Sequence, residues 1–158
     1  MTVFFTALFL LATGALAQPV QELCKACHLE QVTDWETHRH AAKQVACDAC
    51  HGASTRHRTS VGNVPPDRIA GPAEQARLCG ACHAKPAQEY SGTRHGALVL
   101  ASSRTRAAAC TTCHGTHTLR TVAAMEKQCA RCHASLPAPC KPTGCATCHK
   151  PHQLAARR

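Results

Sequence analysis

The pentapeptide C-x-x-C-H occurs six times in the 158 residues of this chain. The copies run Cys24 to His28, Cys47 to His51, Cys79 to His83, Cys110 to His114, Cys129 to His133 and Cys145 to His149. In each, two thiols lie about one helical turn apart and an imidazole follows at once. Such a thiol pair can form thioethers to the two vinyl groups of one porphyrin, which leaves the next residue under the iron. Paired Cys also build tetrahedral zinc sites, redox disulfides and disulfide scaffolds. None of these requires a His after the second Cys, yet it stands there in all six copies. Six covalently bound haems c are therefore expected. They would be attached through Cys24, Cys27, Cys47, Cys50, Cys79, Cys82, Cys110, Cys113, Cys129, Cys132, Cys145 and Cys148, with His28, His51, His83, His114, His133 and His149 as proximal iron ligands. Of the thirteen Cys, Cys140 alone lies outside the motifs. It reads as a free thiol, an intermolecular disulfide or an axial ligand, the first being favoured.

The chain has twelve His, so six remain: His38, His40, His57, His95, His117 and His152. Six irons held by two imidazoles each would need six distal ligands, and these are the candidates. His40 and His95 each stand twelve residues after a proximal His. His117 and His152 stand three after one, which is too short a loop to reach round to their own iron, so they should serve a neighbour. His57 lies six after His51. His38 and His40 would point about 200° apart on one helix and could serve two haems. Met125, the one Met beyond the N-terminal segment, reads as packing rather than as a ligand.

The same spacings define an internal repeat. Trp35 follows Cys24 by eleven residues, and Tyr90 follows Cys79 by eleven. Units are expected at about 24–57, 79–117 and, shortened, 129–152, with a linker of Gly, Pro and Ser character at about 53–73. In the third unit Cys145 stands where the counterpart of His40 would fall. Capping residues predict a helix beginning at Thr33-x-x-Glu36 and carrying Trp35, His38 and His40, and another from Gly71-Pro72 through Leu78 into the third motif. No stretch alternates as a strand does.

Residues 3–12 are apolar and Ala15-Leu16-Ala17 follows, so 1–17 reads as a signal peptide and 18–158 as a single exported domain with six haems. The apolar run is short for a membrane span, which needs about 20 residues. All three Phe fall in that segment, and Leu, Ile and Val number only 16 beyond it. A chain so poor in large apolar residues, with a formal net charge of +9, cannot bury enough surface to offset its conformational entropy unless the porphyrins supply the core. Haem propionates would offset the charge, bringing the oxidised protein to about +3 and the reduced one to about −3. Arg56, Arg58, Arg104 and Arg106 then read as propionate partners. Nucleic acid is not an expected partner, because stacking aromatics are nearly absent.

The succession of C-x-x-C-H, an aromatic residue, S/T-x-H, and C-x-x-C-H-G with a later His resembles periplasmic multihaem cytochromes c of the pentahaem nitrite-reductase partner type and the decahaem conduit type. The stretches that carry it are Trp35 to His51 and Tyr90 to His117, with Thr93-Arg94-His95 as the S/T-x-H copy. In the first unit His38 stands at the Ser/Thr place, so either His38 or His40 can be the ligand. The resemblance implies a mostly irregular fold of short α-helices, with little or no β, packed around a row of haems. It also implies periplasmic or extracellular electron transfer through haems that are mostly or all bis-His and low-spin, at mostly negative potentials. The expected partners are redox-protein donors and acceptors, such as a membrane quinol dehydrogenase or an outer-membrane conduit. Two other classes compete: a subunit of a polymeric conduit that self-associates into a filament, and a reductase of small nitrogen oxyanions with one open haem. The equal numbers of irons and spare His weigh against an enzyme.

The composition makes a first prediction. A chain expressed without haem attachment should lack a cooperative thermal transition by circular dichroism; cooperative melting of the apo chain would show a polypeptide core that the composition does not provide.

Overall fold

The computed structural model describes residues 19–101, 108–135, 144–150 and 152–153. The expected signal segment, Arg104, Arg106 and Cys140 lie outside the described residues. Within them are eleven short helices and no strand, the helices taking about 59%. In the first unit these are α1 (Val20–Lys25), α2 (Leu29–Glu36), α3 (Arg39–Ala42) and α4 (Cys47–His51). A linking helix α5 (Thr55–Thr59) follows. The second unit repeats the series as α6 (Pro72–Gly80), α7 (Ala84–Ser91), α8 (Arg94–Ala101) and α9 (Cys110–His114). The third has α10 (Val122–Ala130) and α11 (Cys145–Cys148).

The haem motifs decide where most of these helices start and stop. In the first, third and fifth motifs the leading Cys sits in the last turn of a helix, α1, α6 or α10. In the first and third the His then caps the start of the next helix: His28 for α2 and His83 for α7. In the second, fourth and sixth motifs the pentapeptide forms all or most of a short helix of its own, α4, α9 or α11. After the second and fourth, Gly52 and Gly115 turn the chain with φ of 75° and 79°, a backbone conformation that other residues adopt only at a cost. The sixth motif ends on His149 in extended conformation, and Lys150 stands where the other two have Gly.

The helix expected from Gly71-Pro72 is α6, with Gly71 at its N-cap and the Glu74 carboxylate accepting the Gly71 N–H at 2.9 Å. The helix expected from Thr33 starts four residues earlier. Thr33 lies inside α2, its hydroxyl donating to the Leu29 carbonyl at 2.8 Å, and Glu36 is the last residue, paired with Lys25 at 2.8 Å. The chain leaving the first motif through His28 sets the helix start, and the capping-box spacing is incidental. The helix also ends at Thr37, so His38 and His40 do not share it.

The two aromatics of the repeat do the same work. Trp35 Nε1 donates to the Val45 carbonyl at 3.2 Å, and Tyr90 Oη donates to the Ala108 carbonyl at 3.0 Å. Each acceptor lies two residues before the next motif, so the ring fixes the long loop that returns the chain to its second haem site. Apolar burial in the polypeptide is slight. Val32, Tyr90, Val99 and Ala109 are the buried apolar residues among those described, while Leu29, Val61, Ile69 and Val122 are each at least 60% exposed. A fully buried aliphatic side chain contributes about 1.5–3 kcal/mol, whereas ordering each residue costs about 1–2 kcal/mol. Four buried residues cannot order this chain, which fits a core made of something other than polypeptide.

Gly96 is where packing is tightest. A Cβ there would lie 2.2 Å from the Tyr90 carbonyl oxygen and 2.8 Å from Ser91 Cα, so only glycine lets α8 start against the end of α7. Gly96→Ala should lower the melting temperature of the haem-loaded protein by several degrees, in line with about 1–3 kcal/mol for overpacking. Gly92→Ala, where the nearest atom would be an ordinary 3.5 Å away, should change it little. Equal melting temperatures for the two variants would refute the close approach.

Candidate haem centres

Each motif closes on itself before anything binds to it. His28 N donates to the Cys24 carbonyl at 2.9 Å, and His83, His133 and His149 make the same bond to Cys79, Cys129 and Cys145 at 2.8 Å. This i to i+4 bond sets both thiols and the imidazole on one turn. The twelve motif Cys are free, without disulfides among them.

All twelve His are among the described residues, and the fold sets ten of them in five facing pairs. His57 faces His28 with ring centroids 5.9 Å apart, and His117 faces His51 at 6.1 Å. His40 faces His83 at 6.0 Å, His152 faces His114 at 5.7 Å, and His95 faces His133 at 5.9 Å. Two imidazoles on opposite sides of one metal stand about 6 Å apart between centroids, from metal–nitrogen bonds of about 2 Å and about 1 Å more to each ring centre. Five pairs meet that spacing. In the His114–His152 pair the two Nε2 atoms point at each other at 3.4 Å, and a slight opening would admit an iron. Donor chemistry and spacing thus fit a bis-His haem at each of these five places.

The pairs cross the repeat in a regular way. The His at +12 reaches forward to the first motif of the next unit, as His40 to His83 and His95 to His133. The His at +3 reaches back to the second motif of the preceding unit, as His117 to His51 and His152 to His114. His28 receives His57 from its own unit. The expectation that the +3 residues face a neighbour agrees with this placement. The sixth proximal residue, His149, faces no other imidazole, and His38 is not brought to a proximal His.

Hydrogen bonds to the ring nitrogens set His38 apart from His51 and His57. His51 Nδ1 lies 3.1 Å from the Arg68 carbonyl and His57 Nδ1 lies 2.6 Å from the Val64 carbonyl. A carbonyl can only accept, so each Nδ1 carries the proton and leaves an Nε2 lone pair for a metal. His38 is the opposite case. Its Nδ1 accepts the His40 N–H at 3.0 Å as the N-cap of α3, and its ring lies 4.6 Å from that of His40. The neutral ring then carries its proton on Nε2 and has no free lone pair. His38 buttresses His40 rather than sharing its task.

Successive motifs lie near enough in chain order for their thiols to act on one another. The Cys47 thiol is pushed up by burial and by Cys24 beside it. Cys110 donates a hydrogen bond to Cys79, which raises the first and lowers the second. Burial raises Cys50 and Cys129, with Cys79 adding to the first shift and Cys145 and Cys113 to the second. Each attachment point thus feels the next in chain order, from the first motif to the sixth. Burial also pushes the imidazoles of His40, His95, His114 and His117 down, and the facing ring adds to each shift. Lowered values favour the neutral imidazole, the form that binds metal.

Several long-range ties escaped the sequence reading. Thr118 Oγ1 donates to Asp34 at 2.5 Å, which joins α2 to the loop that carries His117; both line a cavity of about 300 Å³ with Glu30, Gln31 and Arg120. Gln75 Oε1 accepts from Thr111 N and Oγ1 at 3.0 and 3.1 Å, joining α6 to the start of the fourth motif. Glu126 accepts from Gly144 N at 3.2 Å and Ala146 N at 3.0 Å and so anchors the start of α11. No local spacing announces such pairs. Arg120 was more legible: it donates to the carbonyls of Thr111, Thr112 and Cys113, as a cation near a helix C-terminus does.

These pairings predict a graded set of spectra. Single Ala substitutions at His40, His57, His95, His117 or His152 should each add one high-spin haem to the ferric EPR spectrum. His38→Ala should add none and cost only the N-cap, about 0.5–2 kcal/mol. A high-spin signal from His38→Ala with none from His40→Ala would reverse the assignment.

The family profile described as cytochrome c3 matches residues 39–134, a stretch that holds the second to fifth motifs and four of the facing His. No curated protein and no solved structure matches the chain. No helix among the described residues is long and apolar enough to cross a membrane. With a family profile spanning well over half its length, the chain belongs to the cytochrome c3 family of multihaem c-type electron-transport proteins.

Proposed function

We propose that this cytochrome carries six haems c and passes electrons along them in chain order, outside the cytoplasmic membrane. The observation that carries the reading is the set of five imidazole pairs at 5.7–6.1 Å. Haem c, when bound, supplies an iron that gains or loses one electron without making or breaking a bond to substrate. The residues do the rest. The paired thiols would hold each porphyrin, and the nearness of successive motifs would keep neighbouring haems close. At the five paired sites the two facing His would both hold the iron and leave no place for a substrate. Tautomers locked by the Arg68 and Val64 carbonyls keep Nε2 directed at the metal at His51 and His57.

A carrier rather than an enzyme is the better reading for these five centres, since reduction of nitrite or hydroxylamine needs an exchangeable position at the iron. Donors and acceptors would be other redox proteins, docked weakly. The basic polypeptide and acidic propionates together suit transient contact better than a permanent interface. The N-terminal segment 1–17 would direct export.

Intact mass of the mature protein should give six haems and an N-terminus at Gln18. A potentiometric titration should then spread over several overlapping one-electron steps, mostly at negative potential. Fewer than six haems would remove the six-centre row, and steady turnover of nitrite with reduced viologen would favour the reductase reading.

A further inference from the structure

We infer that the haem of the sixth motif is a binding site for small exogenous ligands, with His149 as its protein axial ligand and the opposite face open to carbon monoxide, nitric oxide or cyanide. The inference rests on the haem reading of the six motifs and deepens it at one centre. Three observations carry it.

The first is the pairing itself. Five proximal His face an imidazole and His149 faces none, although every His of the chain is described. The second is the rule the pairs follow. The second motifs of the first and second units take their partners from the +3 His of the following unit, and no imidazole of the described residues stands in that relation to His149. The one imidazole left over is His38. Its Nδ1 accepts the His40 N–H at 3.0 Å and its ring packs on His40, beside the third centre. It has neither the place nor the lone pair to serve the sixth.

The third is that the sixth motif is built, not frayed. Glu126 grips Gly144 N and Ala146 N, and His149 N closes the turn on the Cys145 carbonyl at 2.8 Å. Its exit differs from that of its counterparts. Gly52 and Gly115 turn the chain at positive φ after the second and fourth motifs, whereas His149 leaves extended, at φ −103° and ψ 133°, into exposed Lys150. The sixth motif is thus anchored on its proximal side, while the described residues bring no imidazole to face His149. An iron with one imidazole takes small π-acceptors when ferrous and cyanide when ferric.

The test uses the haem-loaded protein after its mass has established six haems; a lower count would fault the haem reading and not this inference. Carbon monoxide added to the dithionite-reduced protein should give a difference spectrum worth about one haem in six. Cyanide should convert the same fraction from high-spin to low-spin in the oxidised protein. His38→Ala and Cys140→Ser should leave that fraction unchanged. His152→Ala, which opens the fourth centre, should raise it to about two in six, and a Cys145→Ala/Cys148→Ala variant should abolish it. If wild type binds no carbon monoxide while His152→Ala binds one equivalent, the sixth iron is closed and the inference falls. It falls equally if binding appears only with Cys140→Ser, which would mark a thiol ligand, or only on dilution, which would mark a ligand donated by a second copy.

Discussion

Everything in this structure hangs on an imidazole from one repeat meeting a proximal imidazole of another. The polypeptide by itself buries too little to hold its shape: Val32, Tyr90, Val99 and Ala109 are its buried apolar residues among those described. The units are instead tied by His40 to His83, His117 to His51, His95 to His133 and His152 to His114, each an exchange across a unit boundary. With a metal between them, such pairs become coordinate bonds that span the chain. Short helices suffice in such a fold, because a helix need only deliver a Cys, a His or an aromatic anchor to the right place.

One pair is an exception to the exchange. His28 is faced from within its own unit, by His57. The loop after the second motif is routed differently from that after the fourth. Ser54 takes the place of the +3 His and adopts a left-handed conformation, φ 49°, with its N–H held by Asp67 at 2.7 Å. Helix α5 then carries His57 back to His28, and the Val64 carbonyl fixes its ring. Among the described residues no imidazole is brought to His149.

The motifs, the repeat, the paired roles of Trp35 and Tyr90 and the start of α6 were legible in the sequence because each depends on residues a few positions apart. The spare His were legible as a set, and the +3 residues as neighbours' partners, from loop length alone. Their individual partners were not, since a ligand at fixed spacing says nothing of which motif the fold carries past it. His38 shows the limit clearly. As a residue type at that position it was a fair match for a ligand, and only the direction of its hydrogen bond to the His40 N–H separates a cap from a donor. Thr33 shows another: its capping pattern is real as a string, but His28 had already opened the helix. The cytochrome c3 profile, which spans 39–134, covers the middle of the row and neither end.

The direction of lending also sets a timetable. A chain emerges with its N-terminus first, so His40 and His95 are present before the motifs they face. His51 and His114 are in the reverse position: each waits for a whole further unit before His117 or His152 arrives. With haems in place, the first centre of the second or third unit could therefore close as soon as it appears, while His28 would wait for His57 and the second centre of the first or second unit for its successor. A protein assembled on this plan is completed backwards by one step at every stage, and its length can grow by a unit at the C-terminal end without disturbing any centre already closed.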